Sequence, residues 1–263
     1  MLHYNDYLQL DKILNAQSLE SAKQNLPAHD EMLFIVIHQA YELWFKQLHY
    51  EIDSITVIMN KPAVNDNSPE LQTVVHRLSR CITILKLLVQ QIDIMETMTP
   101  MDFLDFRDML RPASGFQSWQ FKELEAKLGL KFEQRYGQEY YTSVLRKEHI
   151  DIVKKAEADK SVLQLVSEWL ERMPFLKEAG GIQFWESYQT IYKTGLADAE
   201  KNNTTVFDEI FNTEIQTAEP AHRSLSFSAC RSALFIMLYR GYPLLQLPFQ
   251  LLNALLEIDV QLS

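Results

Sequence analysis

The run DEMLFIVIHQAYELWFKQLHYEIDSITVIMN, from Asp30 to Asn60, decides how the chain folds. It holds no glycine or proline, and its apolar residues return every three or four positions, the period of an α-helix. The spacing predicts one unbroken helix of about eight turns at roughly 3.6 residues per turn. Met32-Leu33-Phe34-Ile35-Val36-Ile37 is apolar on every side, which predicts burial all round. Phe34, His38, Tyr41, Phe45 and His49 share one stripe of this helix, so imidazoles sit among aromatic rings. A histidine so placed serves as a general base, a hydrogen-bond partner for a ligand or a metal ligand; the plainer alternative is a core histidine satisfied by a carbonyl.

The helical period continues on both sides of that run. A short helix is expected over residues 7–17. Past a polar loop at 61–67, Ser68-Pro69-Glu70-Leu71 joins an N-cap to a proline at the first helical position and opens a second long helix, to about Thr97. Thr99-Pro100 opens a shorter one that ends near Leu110, where Arg111-Pro112-Ala113-Ser114-Gly115 breaks the pattern, and another runs over 116–129. Residues 130–159, Tyr-rich and charged, read as an excursion or a helical hairpin. Helices resume over 159–172, 184–201, 205–216, 223–240 and 244–263. No repeat or low-complexity segment is visible, and the loops are too short to demand a domain boundary. The expectation is an all-α fold, one helical-bundle domain over residues 1–263.

Composition narrows the function classes. Only 7 of the 263 residues are glycine, and neither GxGxxG nor GxxxxGK[ST] occurs, which removes the common nucleotide-binding folds. With 35 acidic against 25 basic residues the net charge is −10, so a nucleic-acid or anionic-membrane surface is not expected. Cys81 and Cys230 stand far apart without CxxC spacing, which fits a reducing compartment. The start Met1-Leu2-His3-Tyr4 lacks signal-peptide character, and no apolar run approaches the length of a membrane span, so a cytoplasmic location is expected.

Beyond the histidines, Arg107 carries most information. In Asp102-Phe103-Leu104-Asp105-Phe106-Arg107-Asp108-Met109-Leu110 it shares a face with Phe103, Leu104 and Leu110, which points the guanidinium toward the apolar side. A buried guanidinium needs a carboxylate, from a ligand or from a protein group such as Glu96 or an aspartate. The following Pro112-Ala113-Ser114-Gly115-Phe116-Gln117-Ser118 offers amides and hydroxyls near a helix start, suited to an anionic group or to a plain connection. HExxH and GxSxG are absent, and the lone E-x-x-H at Glu219–His222 has no second copy. Trp44, Trp119, Trp169 and Trp185 read as core anchors.

His29 through Gln47, Glu96-Thr97-Met98-Thr99-Pro100, Phe103 through Arg107 and Ser114 through Ser118 together resemble the tryptophan 2,3-dioxygenase family. The resemblance is dense over residues 4–129, loose in the middle, and returns over 223–258. It implies a helical haem enzyme, a homotetramer, that cleaves the indole C2–C3 bond of L-tryptophan with dioxygen to give N-formylkynurenine. On this resemblance His38 is the histidine that hydrogen-bonds the indole N–H, Phe34 packs on the indole, and Arg107 binds the substrate carboxylate. Ser114 and Gly115 belong to the loop beside the haem, while Tyr4, Tyr7 and Leu8 belong to a segment lent to a neighbouring subunit's pocket. Phe103 stands where some members carry tyrosine, which removes one hydroxyl from the carboxylate site. The family's haem-ligating histidine lies in a Trp-Arg-x-x-His segment beyond Ile258, and none of the seven histidines here matches it, so no metal ligand is assigned. Two expectations follow: the dioxygenase represented without its C-terminal segment, or a haem-less, non-enzymatic paralogue that binds an indole amino acid or serves in assembly.

Overall fold

A computed structural model describes residues 1–130, 140–173, 179–212 and 225–262. Among them there is no strand, and the all-α expectation is met. The decisive run is helix α4, Glu31–Met59, and the second long run is α5, Pro69–Met95, capped by the Ser68 side chain with Pro69 in the first turn. Around them stand α6 (Pro100–Arg107), α7 (Trp119–Leu128), α9 (Lys147–Ala158), α10 (Val162–Glu171), α11 (Ala179–Gly195), α12 (Asn203–Phe211), α13 (Phe227–Leu238) and α14 (Gln246–Leu262). Short helices α1 (Tyr4–Leu8), α2 (Leu10–Leu14), α3 (Glu20–Lys23) and α8 (Tyr140–Val144) fill the connections. The helical reading of 130–159 holds for α8 and α9; residues 131–139, like the Glu219–His222 motif, lie outside the described residues.

Helix α5 packs between α4 and α14, and α10 packs against α4 and α13. One continuous apolar cluster runs through Leu48, Ile52 and Ile55 of α4, Leu71, Val74 and Leu78 of α5, Trp169 and Leu170 of α10, Ile236 of α13 and Leu251 of α14. Trp169 is fully enclosed and its indole N–H donates to the Val64 carbonyl at 3.0 Å, so a polar edge is satisfied inside the core. Trp185 is buried too, 5.7 Å from the Phe207 ring, in keeping with the anchor reading.

Two expectations are corrected. The first helix is split, because Gln9 adopts a left-handed conformation (φ 54°) between α1 and α2, and neither short helix buries a residue. The Met32–Ile37 stretch is not enclosed: Ile37 is buried, but Met32 and Val36 are exposed on the back of α4. Apolar character all round gives the capacity for burial, and a second surface must be present to use it.

Candidate active site

A cavity of about 680 Å³ lies between the first half of α4 and the segment 113–118 with the start of α7. Phe34, Ile37, His38, Tyr41 and Phe45 form one wall, Ala113, Ser114, Gly115, Ser118 and Phe121 the other, and Ile92 and Met95 close the α5 side. Its volume is within the range of about 300–1,000 Å³ typical of small-molecule and cofactor sites. A second apolar cavity of about 550 Å³ beside α14 is lined by such residues as Leu163, Val166, Leu252 and Ile258 and contains no imidazole. The first has the chemistry.

His38 is the histidine in that wall. Its Nδ1 lies 2.7 Å from the Phe34 carbonyl oxygen, one helical turn back. A carbonyl only accepts, so the neutral imidazole carries its proton on Nδ1 and keeps a lone pair on Nε2. The Phe34 ring is 4.1 Å from the imidazole and 5.7 Å from the Phe103 ring, while Phe106, fully buried, meets both phenyl rings edge-on. Tyr41 donates to the Leu88 carbonyl at 2.5 Å, which ties α4 to α5; burial raises its pKa and keeps the phenol protonated. At the cavity's edge Glu31 accepts from the Glu20 and Ser21 amides at 2.7 and 3.0 Å. Burial opposes its charge, but hydrogen bonds from Ser21 and the Glu20 amide outweigh that and hold its carboxyl below the usual range.

The site residues expected from sequence are brought together in part. Phe34, His38, Ser114 and Gly115 line the cavity, and Phe103 is stacked behind Phe34. Arg107 requires a correction, because its guanidinium is exposed, 5.9 Å above the Phe103 ring. Only Phe106 of α6 is buried, so the face that Arg107 shares with Leu104 is left uncovered. No ion pair to Arg107 occurs among the described residues, and neither Glu96 nor an aspartate claims it. The 113–118 amides are less free than expected: Ser114 N–H donates to Gln117 Oε1, and Phe116 N–H to Ser114 Oγ. Tyr4 and Tyr7 are exposed at 69% each and do not line the cavity, nor does the half-buried Leu8.

Sequence reasoning missed Glu42, Ile92, Met95 and Phe121 as lining residues. Glu42 was detectable, one turn after His38; the others depend on how α5 and α7 lean on α4. No cluster of three or more metal-ligating side chains occurs among the described residues.

A family model described as tryptophan 2,3-dioxygenase matches residues 1–263. The chain is 45% identical to the tryptophan 2,3-dioxygenase of Alteromonas mediterranea, over 99% of this chain and 78% of that protein. It is 42% identical to that of Bdellovibrio bacteriovorus over 98% of this chain and 78% of the relative. The enzyme of Dictyostelium discoideum is 42% identical over 100% of this chain and 71% of its own length. Signature segments, helical fold and similarity at this level over nearly the whole chain agree: the chain belongs to the tryptophan 2,3-dioxygenase family.

Proposed function

We propose that this chain supplies the substrate-recognising wall of a haem-dependent dioxygenase that opens the indole ring of L-tryptophan between C2 and C3, placing both atoms of dioxygen in N-formylkynurenine. The observation that carries the reading is the 2.7 Å contact between His38 Nδ1 and the Phe34 carbonyl oxygen, from which the tautomer is assigned. With Nδ1–H spent on the Phe34 carbonyl, Nε2 is an acceptor, the polarity an indole N–H needs. The Phe34 ring beside it offers an aromatic face, which favours a flat apolar ring over an aliphatic side chain. Arg107, with no protein carboxylate in contact among the described residues, is available to the carboxylate of an amino acid, and its planar fork suits a bidentate contact.

The cavity suits haem on three counts. Its lining is mostly apolar, the hydroxyls of Ser114 and Ser118 stand at one edge, and a Cβ at Gly115 would meet nothing within 4 Å. When bound, haem supplies iron for dioxygen chemistry. Among the described residues His38 is the only histidine lining the cavity, and its assigned task is toward the indole, so no iron ligand is assigned from them.

The 42–45% identity to named dioxygenases supports the enzyme over the non-enzymatic paralogue. The continuous core supports reading the chain as one helical domain. The exposed α1–α2 arm with Tyr4, Tyr7 and Leu8 supports a homo-oligomer, a tetramer as in the family resemblance, in which the arm covers a neighbouring subunit's site. No described helix is long and apolar enough to cross a membrane; a cytoplasmic location remains part of the proposal. Cells expressing the gene and fed L-tryptophan under isotopically heavy dioxygen should accumulate N-formylkynurenine carrying two heavy oxygens. Tryptophan binding without that product would return the chain to a binding or assembly role.

A further inference from the structure

Resting on this reading of the α4 cavity, we propose that Gln120 and Glu42 are a positioning pair that fixes the spacing between the histidine wall and the 113–118 wall. Gln120 stands in the first turn of α7, two residues beyond the cavity residue Ser118. Its Nε2 lies 2.7 Å from Glu42 Oε2 and 3.0 Å from the Glu42 carbonyl oxygen. Both partners only accept, so the amide must turn its two N–H groups to the same residue of α4. Glu42 follows His38 by one helical turn and its side chain lines the cavity.

A second bond fixes the register. The Gln120 backbone carbonyl accepts from His49 Nε2 at 2.9 Å, and His49 is buried outside the cavity lining. One residue of α7 is therefore held at two points of α4 that lie two turns apart. A slide of α7 by one turn, or a rotation about its axis, breaks both contacts. The seam continues through Glu123, 3.5 Å from His49 Nε2, and Lys127, which reaches Glu123 at 3.0 Å and Asp53 at 2.7 Å. Apolar packing tolerates such slides; directional bonds to a charged acceptor do not, and these are the stronger class of hydrogen bond.

The test compares Gln120→Met, which keeps length and loses the donor, with Glu42→Gln, which keeps an acceptor oxygen. Hemin is titrated by its absorbance, L-tryptophan by calorimetry, and amide hydrogen exchange is followed in the ligand-free proteins. Gln120→Met should raise the Kd for hemin and for tryptophan by about tenfold or more, the worth of one hydrogen bond to a charged group, and displace the hemin absorbance band. Glu42→Gln, which keeps an acceptor oxygen but removes its charge, should raise both constants in the same direction by less than Gln120→Met does. Exchange should quicken in 113–121 and not across the α5–α14 packing. Lower thermal stability in Gln120→Met with unchanged Kd, unchanged band and exchange raised uniformly overturns the proposal. If wild-type protein binds neither hemin nor tryptophan, the cavity reading fails instead, and the pair then stands or falls on whether the exchange change is confined to 113–121.

Discussion

At the scale of single residues, the account depends on where protons and charges are held. Arg107→Lys should weaken L-tryptophan binding by about ten- to a hundredfold, since a lost hydrogen bond to a charged group is worth about 1.5–3 kcal/mol and an ammonium cannot reproduce a fork. Tryptamine, without a carboxylate, should bind both proteins alike; equal losses for the two ligands in a titration would make Arg107 a structural residue. His49 gives a pH dependence. Burial lowers its pKa below 6.5, against the attraction of Glu123, so the folded protein holds it neutral. Its contribution to stability is complete above that ordinary value and is lost as pH falls toward the lowered one, because the unfolded chain then binds the extra proton. His49→Gln keeps a donor for the Gln120 carbonyl and does not titrate, so the difference in unfolding free energy between wild type and variant should narrow from neutral pH to mildly acidic pH. A difference independent of pH in denaturant titrations would contradict this. The place of His38 in an aromatic wall was legible from helical spacing, but its tautomer was not, since that depends on a carbonyl distance. The exposure of Arg107 was not legible either: spacing says which residues share a face, not whether anything covers it.

At the scale of elements, the termini were the most legible part. Ser68-Pro69 and Thr99-Pro100 open α5 and α6 as the sequence indicates, because a hydroxyl acceptor and a preset φ are local properties. Gly129 closes α7 at φ 110°, with the Leu130 amide returning to the Glu125 carbonyl. A Cβ there would stand 2.7 Å from Leu163 Cβ and 2.9 Å from Ser161 Oγ. Gly129→Ala combines a left-handed penalty of about 1–2 kcal/mol with that clash, and should lower the unfolding free energy by about 2 kcal/mol or more. Denaturation at wild-type midpoint would show that the turn relaxes. The break at Gln9 was hidden, since glutamine carries no turn signal and its left-handed backbone answers to the arm as a whole. The α4–α7 seam was hidden for another reason: Gln120 and Glu42 are 78 residues apart, and no periodicity joins them.

At the scale of the molecule, the described surface keeps a row of apolar residues exposed. Val36, Leu43, Tyr50 and Val57 recur every seven residues on the exposed back of α4, opposite the face that carries the cavity. In the proposed homo-oligomer this row is the expected contact between subunits. Replacing both Leu43 and Tyr50 with Glu should reduce the mass found by light scattering, with helix content retained; an unchanged assembly would place the subunit contacts elsewhere. The all-α class and the long central helices were readable because 3.6-residue periodicity reports directly on the helix. The cavity was not, because its walls come from α4, α5 and the 113–121 region and exist only once they pack. That cavity, with His38 Nε2 accepting the indole N–H, is the central claim, and one titration tests it most directly: L-tryptophan against its N-methylindole analogue, on wild type and on His38→Ala. The account predicts that wild type prefers tryptophan by about tenfold, the cost of leaving one buried acceptor unpaired, and that the preference collapses to about one in the variant. A preference that survives in His38→Ala, or none in wild type, would contradict it.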